Sequence, residues 1–349
     1  MWATSSFQEN ASRSPPLRHR PMRTLDLDVV VTRGSVVESR HSVHAAVANA
    51  AGEMLAVARS PDLVAHWRSC AKPFQVYPFL RSGAFDAVGW GDAELALACA
   101  SHGGEPEHVA IAASMLRSIG LEEGDLACGA HDPLAARGSR LLREQGRHAG
   151  RLHNNCSGKH AAMLAAAQAG GFPTLGYELP SHAVQLGIRT GLSRWTGLDE
   201  GSLDVATDGC GAPVFILALR HMATAYARLA ASSAEESHAA RILDAMVEHP
   251  FLVGGTDRFD TVLMEETRGA VIAKIGAEGV HTLLLRERAI GLAIKVADGH
   301  FRAQYPAVLR LLQLFDALPA ELPQRLRDFM ISPVHDTRGT VVGFVRPAA

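Results

Sequence analysis

The chain has 349 residues, 47% hydrophobic and 20% charged, enough for one large domain or two of ordinary size with a substantial core. A formal net charge of −2 leaves no basic surplus for nucleic acid and no acidic tail. Five scattered cysteines do not make a disulfide scaffold and point to a reducing compartment, and no run of eighteen apolar residues spans a membrane. Residues 1–24 are polar, arginine-bearing and without an apolar signal core. They are read as a disordered extension before a single domain over 25–349, in a cytoplasmic protein.

Val29–Val31, Ser35–Val37, His44–Asn49 and Met54–Ala58, punctuated by Gly34 and Gly52, predict a hairpin-rich antiparallel start. A helix is expected from about Cys70 to Leu80, with Pro73 tolerated in its first turn. Further helices are predicted over 92–100, 108–119, 161–170 and 180–197, with a polar exposed stretch over 138–150. Val214–Ala231, interrupted by Arg220, His221 and Arg228, reads as one long amphipathic helix, and 235–248 as another. A glycine loop follows over 251–258. Strands are expected at 271–276, 282–285, 291–297 and 341–345, with a helix over 306–318. The pattern is α+β, with β-structure at both ends and helices in the middle.

Three polar motifs occur in order: Ser69-x-x-Lys72, Ser101-His102-Gly103 and Lys274-Ile275-Gly276. On a helix starting near Cys70, Lys72 lies about one turn beyond Ser69 on the same side, so a desolvated amine could take the hydroxyl proton. The plain alternative is a serine N-cap followed by a solvated lysine. Ser101 and Lys274 could form a second hydroxyl–amine pair. The order resembles that of penicillin-recognising serine enzymes, but the middle motif lacks its Asn and the last has Ile for Thr. Gly158-Lys159 is similar to a phosphate loop, but His153 stands where that loop needs glycine. Cys156 and Cys210 each sit in a Gly- and Asn/Asp-rich loop; two such thiols with a nitrogen donor would suit zinc, and coordination chemistry alone favours His160 as third ligand. Cys70 falls within the first motif; Cys99 and Cys128 read as small buried hydrophobes.

Glu38-Ser39-Arg40-His41, Arg68–Pro73, Ala100–Glu105, Asn155–His160 and Thr207–Cys210 together resemble the Rhizobium etli-type L-asparaginases. The resemblance covers most of residues 28–345. It implies hydrolysis of the L-asparagine side-chain amide, a fold similar to serine β-lactamases and glutaminases, and a homodimer. It implies Ser69–Lys72 and Ser101–Lys274 as two Ser–Lys tandems, and zinc held by Cys156, Lys159 and Cys210, with Lys159 in place of His160. His160 and Asp208 would lie close by, and Arg68, His102 and Asn155 join them as candidate substrate contacts. Gly103-Gly104 and Gly211-Ala212 depart from some members and bear on strict asparagine preference. The alternatives are a β-lactamase- or peptidase-like serine hydrolase and a non-catalytic zinc-dependent amino-acid sensor. No nucleic-acid or membrane partner is expected.

Overall fold

The computed structural model describes residues 22–348, so nearly all of the expected N-terminal extension lies outside the described residues. Arg23 and Thr24, at the end of that stretch, form a short strand. In chain order the strands are β1 (Arg23–Thr24), β2 (Val29–Arg33), β3 (Val36–His41), β4 (Val43–Asn49), β5 (Met54–Ala58), β6 (Val64–His66), β7 (Asp204–Thr207), β8 (Pro213–Ala218), β9 (Val271–Ile275), β10 (Val280–Leu285), β11 (Ile290–Val296), β12 (Ser332–His335) and β13 (Val341–Pro347). The helices are α1 (Lys72–Arg81), α2 (Ala84–Ala87), α3 (Asp92–Ala98), α4 (Pro106–Ser118), α5 (Ala136–Glu144), α6 (Ser157–Ala169), α7 (Ala183–Thr196), α8 (Leu219–Ser232), α9 (Ser237–Glu248), α10 (Pro250–Val253), α11 (Phe259–Glu266), α12 (Gln304–Leu314) and α13 (Gln324–Met330).

The expected α+β arrangement is present. A six-stranded sheet runs β1-β5-β4-β11-β10-β9, antiparallel except for the β1–β5 pair, and joins strands from both ends of the chain. A four-stranded sheet, β12-β13-β2-β3, flanks it, and helices fill most of the sequence between.

Alternation along the strands explains the layers. Val43, Ala45, Val47, Leu292 and Ile294 face one core with Val308 and Leu311 of α12. Ala46, Ala48 and Ala293 face the other, with Ala223 and Tyr226 of α8. The second face is lined by small residues because α8 lies almost on the strands. A Cβ at Gly291 would stand 1.9 Å from Ala223 O and 2.5 Å from Ala227 N. Gly291→Val is therefore expected to cost roughly 3 kcal/mol or more, read as a lower denaturant midpoint, because backbone must move on both sides.

Four expectations change. Val214–Ala231 is not one helix: Pro213–Ala218 is β8, and the helix begins only at Leu219. Its Val-Phe-Ile-Leu run pairs antiparallel with β6 on one side and β7 on the other, and that pairing outweighs the helical pattern. The polar stretch over 138–150 contains most of α5, and the 251–258 loop begins as the single turn α10. The helix expected near Cys70 starts as a 3-10 turn over Arg68–Ala71 and becomes α-helical at Lys72. Among the described residues no helix is long and apolar enough to cross a membrane.

Candidate active site

The 3-10 turn carrying Ser69 begins at an unusual backbone position. Arg68 has φ 54°, a left-handed conformation that costs a side-chain-bearing residue about 1–3 kcal/mol. Its guanidinium is fixed by Asp208, with Nε donating to Oδ1 at 2.8 Å, and Asp208 Oδ1 also accepts the Gly209 N–H at 2.7 Å. Ser69 follows, half-buried, on the wall of a cavity of about 400 Å³. Ser101, Asn155, Cys156, Asp208 and Cys210 reach the same cavity.

Lys72 and Lys274 are both buried. Lys72 Nζ donates to Ala100 O, to Ser101 Oγ at 3.2 Å and to Asn155 O at 3.3 Å, and Ser69 is not among its hydrogen-bond partners. Lys274, inward-facing on β9, donates to Ser101 Oγ at 2.7 Å and to Ile275 O at 2.9 Å. Burial, helped by the Lys72 charge, pulls the Lys274 amine down to about 8. Of the two tandems expected from sequence, Ser101–Lys274 is a direct hydrogen bond, whereas Lys72 is bonded to Ser101 and not to Ser69. Ser101 thus bridges two amines. Asp260 stiffens the strand from behind by accepting the Ile275 N–H at 2.7 Å and standing 2.9 Å from His281 Nε2.

A second cluster adjoins the serines. Lys159 Nζ lies 3.0 Å from Cys210 Sγ, and the Cys156 thiol donates to Asn155 Oδ1 at 3.0 Å. The Cys156 thiol beside it, with the Lys159 cation, holds the Cys210 thiol far below its ordinary value against the opposing effect of burial. The Cys156 thiol is raised by the same neighbour and by burial. Helix α6 can deliver Lys159 because Gly158 lets it press on α3: a Cβ there would meet Leu97 O at 2.4 Å. Among the described residues no three His, Cys, Asp or Glu side chains form a metal-ligating group. The donor set here is instead two thiols and an amine, buried and convergent, and its chemistry fits a soft divalent ion such as zinc.

The two histidines expected to touch substrate are turned inward. His102 is fully buried; its Nδ1 accepts the Gly104 N–H at 3.1 Å, so the proton lies on Nε2, which faces Ser157 Oγ at 2.9 Å. Burial holds that imidazole neutral, and it ties the serine loop to α6. His160 is also buried, with Nδ1 2.6 Å from Tyr177 OH and Nε2 without a partner, behind Lys159 and Cys210. Asn155 does border the cavity, but its side-chain oxygen is engaged by Cys156. Sequence reasoning missed Arg258 and Glu278, which line the cavity. Arg258 ends the 251–258 glycine loop, and that position was its only signal. A further cavity of about 330 Å³ between α1, α6 and α7 is mostly apolar and holds no Ser–Lys pair.

Hydroxyls set against buried amines in a walled cavity are the equipment of a hydrolase. The sequence model of the L-asparaginase II family matches residues 29–347. The chain belongs to that family and is an asparaginase-type amidohydrolase acting on a small molecule. No curated protein sequence matches it. Among solved structures, a β-lactamase from Mycobacterium bovis is similar at 12% identity and a TM-score of 0.39, over 79% of this chain and 96% of its own.

Proposed function

We propose that the protein hydrolyses L-asparagine to L-aspartate and ammonia through a serine ester formed at Ser69. The observation that carries the reading is the hydrogen-bonded series Lys72–Ser101–Lys274, whose serine opens on the same cavity as Ser69. Ser69 Oγ attacks the side-chain amide carbon; its proton passes to Lys72 as Lys72 hands one of its own through Ser101 to the Lys274 amine. The Ser69 N–H, in the first turn of its helix, has no intrahelical acceptor and can face the oxyanion. The tetrahedral adduct collapses as the C–N bond breaks. The departing nitrogen takes that proton back from Lys274 through Ser101 and leaves as ammonia. Water then adds to the ester and gives up a proton along the same route; the bond to Ser69 Oγ breaks, Ser69 recovers that proton, and aspartate departs. Ser101 is a second candidate nucleophile, favoured by its contacts with both amines.

Zinc, held by Cys156, Lys159 and Cys210, would supply a fixed positive charge beside the substrate and cross-brace the two loops. Lys159 must be neutral to bind it. A homodimer, implied by the family resemblance, completes the proposal.

The test is ammonia release from L-asparagine by purified protein of measured zinc content and oligomeric state, run beside L-glutamine and a chromogenic β-lactam. Asparagine-dependent release supports the reading. Turnover of the β-lactam alone would replace it with the β-lactamase-like reading, and zinc-dependent asparagine binding without turnover would make the protein a sensor.

A further inference from the structure

We infer that Arg258 receives the α-carboxylate of the substrate and confines the site to amino acids whose carboxylate is free. The inference rests on the amidohydrolase reading above.

Arg258 lines the cavity that holds Ser69 and Ser101, and its Nη1 is buried with no hydrogen-bond partner. Several other charged groups around it are committed. Arg68 is paired with Asp208, Arg137 with Glu105, and Asp260 with the Ile275 N–H and His281. Among the described residues no carboxylate lies within ion-pair reach of Arg258, although Lys72 and Lys274 add further positive charge nearby. A buried guanidinium N–H without an acceptor is costly, and a ligand that brings two coplanar oxygens removes the cost. Arginine suits a carboxylate better than lysine because its planar fork matches both oxygens.

The loop bearing Arg258 is fixed to the serine loop. The Ser101 N–H donates to Val253 O at 3.0 Å. Buried Glu105 accepts the Thr256 N–H at 2.8 Å and the Thr256 hydroxyl at 2.7 Å, and Arg137 neutralises it at 2.9 Å. Guanidinium and hydroxyl therefore sit on one braced unit, which fixes the distance between carboxylate anchor and relay. Asp208 and Glu278 line the same cavity, so a zwitterion meets negative charge as well as positive.

The experiment compares wild type, Arg258→Gln and Arg258→Lys on L-asparagine and on its α-methyl ester, with circular dichroism and melting to verify the fold. Wild type is expected to prefer the free acid by about 10²-fold in kcat/KM. In Arg258→Gln the KM for L-asparagine is expected to rise about 10²-fold with kcat changed only a few-fold, and the preference to vanish; Arg258→Lys recovers part of it. An unchanged KM, or a preference that survives in Arg258→Gln, overturns the assignment while leaving the amidohydrolase reading intact. If wild type releases no ammonia from L-asparagine, that reading fails by itself, and the anchor is judged by L-aspartate in thermal melting. Stabilisation of wild type but not of Arg258→Gln sustains it; no stabilisation, or equal stabilisation, overturns it.

Discussion

Ser69→Ala is expected to lower kcat for L-asparagine by about 10⁴-fold or more, with KM within a few-fold of wild type. The hydroxyl is half-buried on the cavity wall, and Lys72 directs its hydrogens to Ala100, Ser101 and Asn155. Removing it therefore strands no buried donor, and the melting temperature should move little. Ser101→Ala differs in kind. Lys72 keeps two carbonyl acceptors and Lys274 keeps Ile275 O, but the link between the amines is gone. A relay of that sort is worth about 10²–10⁴-fold, so Ser101→Ala should retain more activity than Ser69→Ala. Mass spectrometry of acid-quenched enzyme should find the aspartyl ester on the peptide containing Ser69. An ester on Ser101, with Ser101→Ala the deader variant, would reverse the two roles.

The second large effect is at Lys274. To serve as a proton acceptor for Ser101 its amine must be neutral, and burial with the Lys72 charge brings it to about 8 from an ordinary 10.5. kcat/KM should therefore rise with pH and level off above about 8, and Lys274→Met should abolish that limb and about 10³-fold of the rate. The same shift governs stability with a definite sign. Below about 8 the lysine is charged in both folded and unfolded chains, and the fold bears the full penalty of burying it. Between about 8 and 10.5 only the unfolded chain holds the extra proton, so stability climbs with pH and the penalty is gone above that range. The shift corresponds to about 3 kcal/mol. Lys274→Met should therefore be inactive yet more stable than wild type at pH 7, with the gain shrinking towards pH 10, as urea midpoints at the two pH values would show. A variant equally inactive but less stable at pH 7 would show that the buried amine is net stabilising.

The strands around the central sheet were legible because β-branched runs and glycine turns mark them in short windows, as at Val29–Val31 and Val271–Ile275. Where one apolar run suits two structures, local pattern fails. Val214–Leu217 became a strand because Val64–His66, distant in sequence, and Asp204–Thr207, just before it across a short loop, supplied partners. The motif residues themselves were legible, but their pairing was not. Ser-x-x-Lys spacing places Ser69 and Lys72 on one side of a helix, yet the long lysine stem reaches across to the carbonyl of Ala100 and the Ser101 hydroxyl. His102 adjoins Ser101 in sequence and turns the other way, into a neutral buried bridge with Gly104 and Ser157. Arg258 belongs to no motif. Its role depends on an empty hydrogen-bonding position, which a string of letters does not record.

The left-handed turn at Arg68 carries a consequence for how the protein fails. The orientation of Ser69 depends on an ion pair with Asp208, 140 residues further along the chain, in a short turn at the rim of the cavity. Such rims open at lower free energy than a sheet packed against α8 and α12. Once that turn loosens, Arg68 relaxes to ordinary backbone angles and carries the next hydroxyl out of line, while the core stays closed. Heat would then silence the enzyme before it melts the protein, and a sample that still looks folded by its secondary structure could already have lost its chemistry.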